Sequence, residues 1–184
     1  MTELIDLKTL QERHTKIHFF GLGFIQVKVS DKERFHFYHP ELSAFVPPEE
    51  IHNHRYDFTS RVLKGCFEHE IYSVVDRSTA GIRNGKAREV SCDPNEPAPE
   101  AEIDVLATKL TTVRLKAGSN YDLHSDTFHR VLPATEPTIT HLTRGEKKTA
   151  FATVVSTAEE RVCPFSRNLE ETELWDWVKK IVEA

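Results

Sequence analysis

Ile51-His52-Asn53-His54-Arg55-Tyr56-Asp57-Phe58, running on to Val62-Leu63-Lys64-Gly65, is the stretch that decides the fold. Side chains alternate along an extended strand, so an H-x-H pair puts both imidazoles on one face. Two rings on one face can converge on a single ion, and imidazole is the commonest protein ligand for transition metals. A third ring comes from Leu123-His124-Ser125-Asp126-Thr127-Phe128-His129-Arg130-Val131, where either His124 or His129 could complete the set. Parity assigns the neighbours. Tyr56 shares the histidines' side and is a candidate general acid or hydrogen-bond donor, against a plain packing role. Phe58 and Ser60 face inward with it, whereas Arg55, Asp57 and Arg130 point away. The two arginines therefore read as structural ion-pair partners more readily than as clamps for a substrate carboxylate.

Outward from this core, strand patterning dominates. Phe24-Ile25-Gln26-Val27-Lys28-Val29 alternates, Asp31-Lys32-Glu33 turns the chain, and Arg34-Phe35-His36-Phe37-Tyr38 returns it. Pro47-Pro48 breaks the chain ahead of the H-x-H segment, and Gly65 marks a bend between two strands within 58–72. Further strands are expected over 105–115, 127–132, 138–142 and 149–155, with Arg144-Gly145-Glu146 as a hairpin tip. Residues 76–103 are rich in turn formers and read as a surface insertion, a lid or mere decoration, with a hairpin at Asn84-Gly85. Helices close both ends. Thr2 would cap one over 2–13, and Asn168 with Glu171 would cap another over 169–183, whose Leu174, Trp177, Val178, Ile181 and Val182 form one apolar stripe. No βα alternation occurs, so one all-β domain over 1–184, an antiparallel barrel with its core at 20–156 and the helices packed outside, is expected.

The order H-x-H, V-L-x-G, a long connection, then Gly118 and a Phe128-His129-Arg130-Val131 strand resembles the cupin superfamily over residues 45–155. The upstream Arg34-Phe35-His36-Phe37-Tyr38-His39-Pro40 adds a likeness to small uncharacterised single-domain cupins of bacteria and their phages. The resemblance implies a double-stranded β-helix barrel, one divalent metal, and a homodimer. It places His129 at the third ligand position, with His124 a second candidate lining the same cavity and able to act in catalysis. One departure matters. The family's ligand glutamate falls at Phe58, so a three-histidine set of His52, His54 and His129 is expected, with Asp57 a fourth ligand only if a bulge turns it inward.

Three neutral imidazoles leave a divalent ion its full charge. In cupins resembling this one, Fe(II) so held serves dioxygenases acting on small anionic molecules. Zinc would activate water for hydrolysis, and nickel or manganese would suit isomerisation. A non-catalytic module that grips a small ligand is the reading from a different class. Bulk properties exclude much else. Net charge of -5 with no long basic run offers no footprint for nucleic acid. No apolar run approaches the roughly 20 residues that span a bilayer. Cys66, Cys92 and Cys163 form no C-x-x-C pair, which speaks for a reducing, cytoplasmic setting. Cys66, after the bend glycine, reads as a buried small hydrophobe.

Overall fold

The computed structural model describes residues 5–20, 23–43, 51–76, 84–91, 97–157 and 169–184. Thr2, Pro47, Pro48, Cys92, Cys163 and Asn168 lie outside these described residues. The first part of the chain forms α1 (Leu7–Arg13), β1 (Lys16–Phe20), β2 (Phe24–Lys28), β3 (Glu33–Tyr38) and the single turn α2 (Pro40–Ser43). Then come β4 (Ile51–His52), β5 (Tyr56–Lys64), β6 (Cys66–Asp76), β7 (Gly85–Val90) and β8 (Glu102–Lys116). The last are β9 (Asn120–Leu123), β10 (Phe128–Val131), β11 (Thr138–Lys147), β12 (Ala152–Ser156) and α3 (Glu171–Glu183).

Every pairing among these strands is antiparallel. One sheet runs β1-β2-β3-β11-β5-β9, and the other closes on itself as β10-β4-β12-β7-β8-β6. The expected antiparallel barrel with outer helices is thus the architecture. Period-two alternation sorts the first sheet into two faces. Phe19, Ile25, Val27, Phe37 and Ile139 pack outward against Leu10 of α1 and Leu174, Val178 and Ile181 of α3. Val178 and Ile181 are wholly buried, each worth about 1.5–3 kcal/mol of apolar burial. Lys64 at the end of β5 donates to the carbonyls of Ile181 and Val182 at 3.0 and 2.9 Å, tying the helix C-terminus to the sheet.

Gly65 makes the bend between β5 and β6 with φ of +73°. A Cβ there would also collide with the Pro137 carbonyl and the Thr138 side chain, so both conformation and space require glycine.

Four expectations are corrected. α1 begins at Leu7 with Asp6 as its cap, Asp6 Oδ1 accepting from Lys8 N at 3.0 Å. α3 is capped by Glu170, whose N–H donates to Glu173 at 3.1 Å. Arg144-Gly145-Glu146 is no hairpin tip but lies inside β11, where the register to β5 shifts between Arg144 and Lys147; a bulge uses glycine as a turn does. Asn84-Gly85 opens β7, a strand of the closed barrel between β12 and β8, so the stretch 76–103 supplies part of the wall. Ala87 is its one buried apolar side chain, too little to show strand periodicity. Asn84 instead uses its amide on both backbone groups of Ala107, each at 2.8 Å.

Candidate metal centre

β10 lies between β4 and β6, with His129 directly opposite His52 and Ile71. Opposed residues of an antiparallel pair project to the same side, and the His52 and His129 rings lie 4.6 Å apart. The strand ends after His52, so His54 reaches the cluster from an irregular segment. Asn53 holds that segment in place. Its N–H donates to the Thr153 carbonyl at 3.0 Å and its side-chain oxygen accepts from Thr153 N at 2.6 Å, so the amide continues the ladder. The His54 ring then sits 4.9 Å from His52 and 5.1 Å from His129.

One ring nitrogen from each of His52, His54 and His129 lies within 4.8 Å of the other two. His54 Nε2 and His129 Nε2 are 2.9 Å apart. Two nitrogens each about 2.1 Å from one ion are separated by about 3 Å at a right angle and about 3.4 Å at a tetrahedral angle. One ion can therefore reach both nitrogens. Burial, then the neighbouring rings, hold His54 and His129 well below the ordinary imidazole range, so both stay neutral and keep a lone pair for a cation. This donor set fits a divalent ion.

Phe58, where the resemblance puts a ligand glutamate, is edge-on to His54 at 4.9 Å and packed with Leu123 and Leu142. Asp57 points the other way. It pairs with Lys148, accepts from Ser125 N at 2.8 Å, and is held at about 2 chiefly by the Lys148 bond. His124 is 76% exposed and faces Asp57 at 3.8 Å, so neither residue is brought to the three rings. Tyr56 is, its ring 5.8 Å from that of His54. Arg55 donates to the Ala150 carbonyl at 3.3 Å. Arg130 pairs with buried Glu70 through two nitrogens, at 2.8 and 2.6 Å. Burial would raise the Glu70 carboxyl, but bonds from Tyr72, Arg130 and Lys109 outweigh it and leave it at about 2. Cys66 is buried and accepts from Arg114 Nε at 3.0 Å.

The sequence singled out neither His69 nor Arg34, and left His36 as a structural histidine. His69 is buried on β6 with its ring 5.8 Å from His129, and burial lowers it to about 4. Arg34 and His36 lie on the inner face of β3. His36 is pushed to about 3 by burial and by Arg34, and bonds Gln26 at 3.0 Å. The signal available was parity: Arg34, His36 and Tyr38 alternate with the apolar outer face.

No protein-family model matches the chain, and no curated protein does. Among solved structures it is similar to hydroquinone 1,2-dioxygenase from Sphingomonas sp. TTNP3 with 4-hydroxybenzoate bound, at 15% identity and a TM-score of 0.35, over 64% of this chain and 62% of that one. It is also similar to DMSP lyase DddQ from Ruegeria pomeroyi DSS-3, at 16% and 0.35, over 72% and 47%. A cupin-2 domain containing protein from Shewanella frigidimarina NCIMB 400 gives 12% and 0.33, over 78% and 97%. The chain thus spans less than two thirds of the length of the first two.

Proposed function

We propose that the protein is a metal-dependent cupin-type enzyme, an Fe(II) dioxygenase acting on a small anionic molecule. The observation that carries this reading is the convergence of three imidazoles within 4.8 Å with no carboxylate among them. Fe(II) would supply a cationic face for an anionic substrate and the one-electron chemistry that dioxygen requires.

The chain's own groups do the rest. His52, His54 and His129 would hold the ion, and the apolar cluster of Phe58, Leu123 and Leu142 packs beside His54. The Tyr56 oxygen accepts from Arg34 Nη1 at 3.2 Å. That bond uses a lone pair and leaves the hydroxyl proton to be donated to substrate.

Metal content of protein purified without chelator, in wild type and His129→Ala, tests this. About one equivalent of iron in the wild type, absent from the variant, together with substrate-dependent oxygen uptake lost in His54→Ala, is expected. Zinc without oxygen dependence would move the assignment to hydrolysis or isomerisation. Oxygen uptake unchanged by His54→Ala would overturn it.

A further inference from the structure

We propose that Arg34 and the Tyr56 hydroxyl form the substrate's anion subsite, gripping a carboxylate while another group of the same molecule reaches the three-histidine centre. This rests on the metal-centre reading and assigns the part of the substrate that the metal does not hold.

Arg34 is only 9% exposed, yet it forms no ion pair among the described residues. Its Nε is buried without a partner. Its other polar contacts are Nη1 to the Tyr56 oxygen at 3.2 Å and Nη2 to the Asp31 carbonyl at a marginal 3.5 Å. A guanidinium has five N–H donors and cannot shed its proton, so burying it without a carboxylate is costly. The nearby acids are engaged elsewhere. Glu33 faces the other side of β3 and bonds His141 at 3.0 Å, Glu146 pairs with Lys32, and Asp57 pairs with Lys148. Across the sheet, the row containing Arg34 continues through Leu142, Ser60 and Tyr121, none of them acidic.

Position then assigns the missing anion. The Tyr56 ring adjoins both sites, its centre 5.8 Å from that of His54 and 5.6 Å from the Arg34 guanidinium carbon. Ser60, 1% exposed and also unpartnered, offers a further hydroxyl on the Arg34 row. A carboxylate suits Arg34 because one buried guanidinium balances one negative charge and its fork matches two carboxylate oxygens.

The test uses Co(II)-loaded protein, 3-mercaptopropionate, and its uncharged analogue 3-mercaptopropanol, with thiolate-to-cobalt absorption as the readout. Wild type should bind the carboxylate at least about tenfold more tightly than the alcohol. In Arg34→Met that ratio should fall to near one, with cobalt content and alcohol binding unchanged. Arg34→Lys should keep part of the preference. A ratio near one in wild type, or one that survives Arg34→Met, would overturn the proposal.

A second comparison needs no metal. Metal-free Arg34→Met should melt no lower than metal-free wild type, because a buried unpaired cation becomes an apolar side chain of similar length. A fall of several degrees would make Arg34 a structural group and sink the assignment. A wild type that takes up no cobalt would instead refute the metal centre, and the melting comparison would still decide Arg34.

Discussion

Phe58 shows how one side chain sets the chemistry of the candidate centre. It has the parity of the histidines and packs edge-on to His54, so a carboxylate in its place would point at the ion. Phe58→Glu should therefore create a fourth ligand. Without metal the variant should be less stable by about 3 kcal/mol, the usual cost of losing a buried aromatic ring. Added Mn(II) should raise its melting temperature more than that of wild type, because tighter binding to the folded state stabilises by mass action. Thermal melts with and without metal check this, and an equal rise in both proteins would put residue 58 outside reach of the ion. Asp57 cannot play that part, since its carboxylate is committed to Lys148 and Ser125 on the outer side.

Among the elements, β10 brings His129 to the centre and spans only Phe128–Val131. Its hold on β6 is reinforced by Glu70, which gathers Arg130 of β10, Lys109 of β8 and Tyr72 of its own strand. Glu70→Ala would strand Arg130 without its partner, and a loss of about 3 kcal/mol is expected for breaking a buried pair. Because β10 carries His129, metal retention should fall as well. Urea unfolding and metal analysis of the same preparation check both, and a stable variant with full metal would show the clamp to be dispensable. The strands bearing these groups were legible from alternation, as was the apolar stripe of α3. β7 was not, because its faces differ little in polarity, and neither was the run of β11 through Gly145.

Across the whole molecule, buried neutral histidines make stability depend on pH. Burial is the leading cause of lowering in each case, putting His18 and His69 at about 4 and His36 at about 3. In the unfolded chain these rings titrate near 6.5, so between pH 6.5 and about 4 the unfolded state binds more protons. Metal-free protein should hold its full stability above pH 6.5 and lose it as the pH falls through that window. His36 and His69 should each contribute up to about 1.4 kcal/mol per pH unit while protonated only in the unfolded chain. Glu70, held at about 2, adds a second loss on acidifying below about pH 4. Urea midpoints at pH 8, 6.5, 5 and 4 measure the effect, and midpoints that stay level from pH 7 to 5 would contradict it.

The sequence by itself determined the antiparallel class, the inward set of Tyr56, Phe58 and Ser60, and the helix over the outer face. Each of these follows from local periodicity, and periodicity is a property of neighbouring residues. Alternation left His124 and His129 both open, and the family resemblance favoured His129. The tertiary structure brings His129 to the other rings because β10 lies beside β4, and brings His54 there from beyond the end of β4. It alone brought Arg34 of β3 to Tyr56 of β5 across β11. Contacts between residues far apart in the chain are set by strand order and register, which alternation along one strand does not encode.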